Sequence, residues 1–156
     1  MSFNKDKTAI IYFDDEEHGY LSNFHFSPIL INDRMYDTVE HFFQASKATN
    51  NSEHNMVRTT RTPGKSKTMG RIIQLRENWE EIKFKVMLKG VRMKFNSHSY
   101  LGKLLIKTGD LELIEGNTWN DKIWGVYNGV GTNWLGKILM QVRKELKMIK
   151  EEHFAL

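Results

Sequence analysis

No cysteine occurs among the 156 residues. That excludes disulfides, thiolate nucleophiles and cysteine-ligated metal sites from this chain. No apolar run approaches the roughly 18 residues that a membrane-spanning helix needs. The opening stretch MSFNKDKTAIIYF lacks the charged region, long apolar stretch and small-residue cleavage site of a secretory signal. The expectation is a cytoplasmic protein with no membrane partner. Internal repeats, low-complexity tracts and linkers are also missing, so the length predicts one domain spanning residues 1–156. The six histidines show no tight metal-ligand spacing, and no metal is predicted. His41 and His98 read as packing or surface residues. No G-x-S-x-G elbow marks a serine hydrolase.

What is present is basic charge, unevenly spread. The net charge is +4, yet residues 58–94 hold eleven basic side chains against three acidic ones, a local excess of eight. A field of that sign favours phosphorylated metabolites or nucleic acid. A solvated helix face accounts for it equally well.

The first third is β-like. Segments 9-AIIYF-13 and 28-PILIND-33 have the composition of short strands, and 19-GYLSNFHF-26 between them alternates only in part. A helix is expected from Asp37 or Thr38; with Asp37 as N-cap, Glu40 falls at the partner position of a capping box. Further helices are expected at 52–60, at 62–71 with Thr62 as cap and Pro63 in the first turn, and at 78–96 with an apolar repeat from Trp79 to Phe95. A short helix restarts at Ser97 and ends near Gly109. A brief strand at 111–115 and a last helix at about 132–150 complete an α+β, predominantly helical chain with a small N-terminal antiparallel sheet.

Residues 116–136 contain five glycines and three of the four tryptophans, a composition that loops avoid unless they fold over something. Within them, 131-GTNWLGKI-138 has P-loop spacing, but Ile138 stands where Ser or Thr would hold magnesium, which argues against an NTPase. Glycines before a helix start still leave the prospect of backbone N–H groups open to an anion.

The stretch 35-MYDTVEHFFQASKA-48 raises the sharpest question. On a helix, Lys47 lies only ~20° around the axis from Glu40 and about 10.5 Å further along, with Phe43 and Gln44 between them. One arc then carries acid, aromatic, amide and amine, a mixture suited to a pocket wall. Against this stand a capping role for Glu40 and a snorkelling surface position for Lys47. Asp121, beside Trp124, fits either a sugar-binding carboxylate or a local turn.

These segments together resemble the YbiA-like, or NADAR, family. The resemblance runs through 21-LSNF-24, 40-EHFFQASKA-48, 63-PGKSKTMGR-71, 94-KF-95, 108-TG-109, 113-LIE-115, 121-DKIWG-125 and 131-GTNWLGKILMQVR-143. Each is weak alone; in this order and spacing they are specific. The chain departs from the pattern at Tyr127, where many relatives carry glycine, which would reshape the pocket. The resemblance implies an N-glycosidase that cleaves ribose C1′ from an exocyclic base amine. Its substrate would be a ribosylaminopyrimidine 5′-phosphate of the riboflavin pathway or ADP-ribosylated guanine in nucleic acid. It implies no cofactor and leaves the oligomeric state open. Glu40, Lys47 and Asp121 become the catalytic candidates: Lys47 as a covalent amine, the carboxylates for proton transfer or for holding the sugar, with direct hydrolysis through an oxocarbenium-like state beside a carboxylate as the alternative route. Trp124, Trp79 and Trp119 are candidates to stack on the base, and Lys67 and Arg71 to hold phosphate. Asn23, Phe24, Gln44, Gly125 and Asn133 complete the substrate-binding candidates. The rival reading is a binding module for ADP-ribose-like nucleotides or nucleic acid, which the basic middle favours. A pure binder would not require both Glu40 and Lys47.

Overall fold

The computed structural model describes residues 8–155; most of the stretch read for a targeting signal, residues 1–7, lies outside them. The chain divides into two compact units. One joins the N-terminal residues through Ser22 to everything from Ser99 onward; the other is Asn23–His98. The class is α+β and dominated by helices.

In the 23–98 unit, β2 (Ile29–Ile31) and β3 (Arg34–Tyr36) form an antiparallel hairpin, with Ile29 opposite Tyr36 and Ile31 opposite Arg34. The turn is Asn32-Asp33, both left-handed at φ 51° and 60°. Asn and Asp tolerate that conformation, and two such residues match the strand twist. Residues 35-MY-36, just ahead of the expected helix start at Asp37 or Thr38, finish strand β3.

Four helices follow: α1 (Val39–Ala45), α2 (Asn51–Arg58), α3 (Pro63–Gly70) and α4 (Trp79–Ser97). Side-chain oxygens of Thr38, Asn50 and Thr62 cap the first three, accepting from the backbone N–H of His41, Glu53 and Lys65. Each cap satisfies a donor that the first helical turn leaves unpaired. Thr62 and Pro63 take the expected positions. Asp37 does not: Thr38 is the cap, which moves Glu40 out of the capping-box position. Ser97 ends α4 rather than starting the next helix.

Helix α1 packs against α2, α3 and α4, and all seven of its residues are buried. It is not the amphipathic edge helix that its charges suggested. A helix enclosed on all sides must pair its polar side chains internally. His41 does so: Nε2 lies 3.0 Å from the Thr60 carbonyl, which requires a donor, and Nδ1 then accepts from Thr38 Oγ1 at 2.9 Å. Lys94 is also inside, 1% exposed, and burial lowers its amine to about 7. It is therefore not one of the exposed cations of residues 58–94, although its charge still reaches the half-buried imidazole of His25.

In the other unit, β1 (Ala9–Ile11) pairs in parallel with β4 (Glu112–Ile114). α5 (Ser99–Lys107) and α6 (Trp134–Phe154) pack together, and Leu105, Leu113, Leu135, Leu139 and Val142 are fully or almost fully buried. The TG pair and Arg143 of the family-like segments form one lock. Arg143 Nη1 donates to Thr108 Oγ1 and to the Leu111 carbonyl, both at 2.8 Å, while Gly109 turns the chain at φ 65°. No helix among the described residues is long and apolar enough to cross a membrane.

Candidate active site

Three of the sequence candidates come from α1 and the turn behind it. Glu40 is 7% exposed and Gln44 4% exposed. Gln44 Nε2 donates to Glu40 Oε1 at 2.7 Å, so the amide orients the carboxylate. The Glu40 backbone N–H donates to the Asn23 carbonyl at 3.1 Å, and Asn23 Nδ2 points to Met87 Sδ at 3.2 Å. Asn23 thus anchors the helix start. Glu40 is neither a surface charge nor a cap.

Helix α1 stops two residues before Lys47, which therefore lies beyond the regular helix. The outcome survives because the chain tightens instead of leaving: the Lys47 N–H donates to the Gln44 carbonyl at 3.2 Å, a 3₁₀-type bond. The Lys47 carbonyl in turn accepts from the Arg76 N–H at 3.0 Å. The amine lies 5.5 Å from the Phe43 ring centroid and 5.8 Å from that of Trp79. Those rings meet edge to face at 5.0 Å. Aromatic faces attract an ammonium, but they also displace its water. Burial is the leading effect and holds the amine below its ordinary 10.5. The carboxylate of Glu40 pushes the other way; Arg71 and Lys67 lower it further, and Glu80 opposes them weakly.

Lys67 and Arg71 come from α3 and its C-cap. Arg71 keeps right-handed helical dihedrals, so the expected i, i+4 pairing is realised and both charges act on Lys47. Lys67 Nζ also lies 6.0 Å from the ring centroid of the exposed Phe24. Seven sequence candidates, together with Phe24, thus belong to the 23–98 unit. Glu40, Trp79, Lys67 and Arg71 converge there on the Lys47 amine, with Gln44 acting through Glu40. Phe43, the aromatic of the Glu40 arc, becomes one of two aromatic walls because Trp79 arrives from a distant segment.

Gly70 permits this arrangement. A Cβ there would sit 2.0 Å from Gln44 Oε1. Gly70→Ala is expected to displace the Gln44 amide, lowering stability by about 1–3 kcal/mol and loosening the hold on Glu40. Thermal melts together with turnover would show both losses; a variant matching the parent in both would separate Gly70 from the site.

The remaining candidates lie in the other unit. Asp121 forms a local turn, its Oδ1 accepting from the N–H groups of Ile123 and Trp124 at 3.0 and 2.9 Å. Asn117 clamps it, donating to the Asp121 carbonyl and accepting from its N–H. Trp124 is half-buried and Trp119 exposed. Gly125 packs where a Cβ would meet the Glu115 carbonyl at 2.0 Å. Both ends of the Asn133 amide serve the framework: Oδ1 accepts from Glu115 N–H at 3.0 Å and Nδ2 donates to the Leu113 carbonyl at 2.9 Å. Gly125 and Asn133 therefore hold the loop in place. Tyr127 opens a tight turn through Asn128 and Gly129, at φ 49° and 75°, closed by Val130.

The P-loop-like spacing has a packing origin. A Cβ on Gly136 would meet the Leu113 carbonyl at 2.0 Å, and one on Gly131 would meet the Gly125 carbonyl at 2.1 Å. The N–H groups of Thr132, Asn133, Trp134 and Leu135 donate to the carbonyls of Lys122, Gly125, Ile123 and Trp124. These four donors, expected to stand open to an anion, are bonded instead to the carbonyls of residues 122–125. No group of three or more His, Asp or Glu among the described residues is placed to hold a metal ion.

Comparison with known proteins places the chain among relatives of known family. The NADAR domain model matches residues 11–147. The chain is 37% identical over 149 residues to an N-glycosidase YbiA of Shigella boydii, covering 94% of this chain and 92% of that protein. It is 36% identical over 145 residues to a riboflavin biosynthesis protein of Vibrio vulnificus, covering 91% of this chain but 39% of that longer protein. The NMR structure of the E. coli protein YbiA superposes with a TM-score of 0.84 at 38% identity, covering 94% of this chain and 89% of that one. On the extent of the domain match and the identity to these relatives, the chain belongs to the NADAR domain family.

Proposed function

We propose that the chain is an N-glycosidase acting on a ribosylaminopyrimidine 5′-phosphate, a small phosphorylated ribosyl compound of the riboflavin pathway, in the cytoplasm. The observation that carries this reading is the Lys47 amine, depressed by burial against Phe43 and Trp79 and flanked by the Glu40 carboxylate and two further cations. The family's N-glycosidases and the Vibrio vulnificus relative support the reaction class and the substrate class.

Each group then has a task. In such a substrate C1′ is bonded to an exocyclic amine, and the ring opens to an imine. The Lys47 Nζ lone pair forms a bond to C1′. The C1′–N bond to the base breaks, and the leaving amine takes a proton delivered through Glu40. Water then adds to the C1′–Nζ imine, the Nζ bond breaks, and ribose phosphate leaves with the free lysine restored. Lys67 and Arg71 hold the phosphate, and Trp79 stacks on the base.

The test is a substrate panel: a ribosylaminopyrimidine 5′-phosphate, an oligonucleotide carrying ADP-ribosylated guanine, and NAD, each assayed for release of the sugar phosphate. Turnover of the first well above the others is expected. Preferential turnover of the oligonucleotide would reassign the substrate. Tight binding without turnover of any would remove the hydrolase reading in favour of a binding module.

A further inference from the structure

On α1, Phe42 and Ser46 lie roughly 160° and 120° around the axis from Glu40. There they line a cavity of about 400 Å³, which also takes in Arg34, Tyr36, His54, Arg76 and Lys89. The whole cavity belongs to the 23–98 unit, and nothing in the proposed reaction uses it. Its size falls within the roughly 300–1,000 Å³ typical of small-molecule sites.

Its electrostatics are one-sided. Arg34, Arg76 and Lys89 line it, and no carboxylate does. Among the described residues none of the three is in an ion pair. Neutral acceptors orient the guanidinium groups without cancelling their charge. Arg34 Nη2 donates to Asn51 Oδ1 at 2.9 Å. Arg76 Nε donates to Asn78 Oδ1 at 3.1 Å, and its Nη1 reaches the Ser46 carbonyl at 3.5 Å. The wall between them is polar and uncharged: Tyr36 Oη lies 2.7 Å from His54 Nε2. Burial first, then the charges of Arg34 and Arg58, hold that imidazole below its ordinary value, so it stays neutral and accepts from the phenol. The same two guanidinium groups that depress His54 show the field that an entering anion would meet.

We propose that this cavity is a second anion site that binds a phosphate group, carried by a mononucleotide or by a single-stranded nucleic acid backbone, with Arg34, Arg76 and Lys89 as its cations. Oriented guanidinium forks with neutral supports suit phosphate oxygens. A cluster left uncompensated in this way is the electrostatic footprint expected of a phosphate-bearing partner.

The site is tested by titrating inorganic phosphate, adenosine 5′-monophosphate and a short oligothymidylate separately into isotope-labelled protein. Backbone and imidazole resonances are followed at Ser46 and His54, and at Lys67 and Arg71 as the other cationic site. Saturable shifts at Ser46 and His54 are expected. Arg34→Gln should weaken that binding about tenfold or more, the worth of one charge-assisted contact, while shifts at Lys67 and Arg71 remain. Lys89→Gln, on the exposed face of α4, repeats the test without touching the hairpin should Arg34→Gln unfold. Response to phosphate and the mononucleotide assigns a free metabolite; response to the oligonucleotide alone, falling steeply with salt, assigns a nucleic acid backbone. No saturable shift at Ser46 and His54 with any probe, or shifts unchanged in both variants, would overturn the proposal. Neither result bears on turnover at Lys47, so this inference and the proposed reaction fail separately.

Discussion

Lys47→Ala is expected to lower turnover by roughly 10²–10⁴-fold, the range for removing a group that takes part directly in the chemistry. Borohydride added during turnover of the parent should fix a ribosyl adduct on the peptide containing Lys47, because hydride reduces the C1′–Nζ imine to a stable secondary amine. Full activity in Lys47→Ala would sink the covalent role. The pH dependence gives a sharper check, because the free amine is the nucleophile. Its fraction grows as pH rises through a value that burial holds below 10.5, so the acid limb of kcat/KM should lie below that of an ordinary lysine. Lys67 and Arg71 lower that value further. Replacing either by glutamine should therefore move the limb to higher pH, along with any weakening of phosphate binding. The stability sign is the reverse of a salt bridge. The cost of a charged, half-buried amine is fully present below the depressed value and disappears as pH rises toward the unfolded one. Lys47→Met should melt no lower than the parent at neutral pH, and the difference should narrow as pH rises toward that of an ordinary lysine.

Glu40→Gln is expected to cost turnover roughly 10²–10⁴-fold as well, with little change in melting temperature. The structure gives the reason for the second half. Thr38, not Glu40, caps α1, and glutamine keeps a carbonyl oxygen to accept from Gln44 Nε2. Thr38→Ala is the contrasting variant: it removes the cap and the partner of His41 Nδ1, at about 0.5–2 kcal/mol for the cap alone. Glu40 also opposes the depression of Lys47. The residual activity of Glu40→Gln should therefore have its acid limb displaced to lower pH, opposite to the Lys67 and Arg71 variants. Opposite displacements from removing opposite charges would be hard to produce by general loosening of the fold. A Glu40→Gln protein that kept full turnover, or lost it only through unfolding, would return Glu40 to a structural role.

The two predictions rest on features of unequal legibility. Glu40, Phe43, Gln44 and Lys47 share an arc by spacing alone, and the helix caps at Thr62 and the apolar repeat of α4 follow from local rules. The hairpin turn Asn32-Asp33 also carried a local signal, since paired residues tolerant of positive φ between two apolar runs mark such a turn. It was obscured because 35-MY-36 continues smoothly into the α1 pattern. The start of α6 differs from its local signal for another reason. Glycines before a helix suggest open N–H groups, but whether those donors stay open depends on carbonyls elsewhere in the chain, and here residues 122–125 supply them.

The sequence by itself determined the helix-dominated class, most of the elements, the family, and the set of side chains with the right chemistry. Those depend on local periodicity, capping and motif order, which are properties of neighbouring residues. Only the tertiary structure decided that α1 is enclosed by α2, α3 and α4, so that Glu40 is a buried, oriented carboxylate and Lys47 an amine short of water. It likewise decided that Asn133 and Gly136 are framework and that Lys94 lies inside. Burial and proximity arise from chain segments far apart in sequence, and desolvation, which sets the reactivity of Lys47, has no local signature.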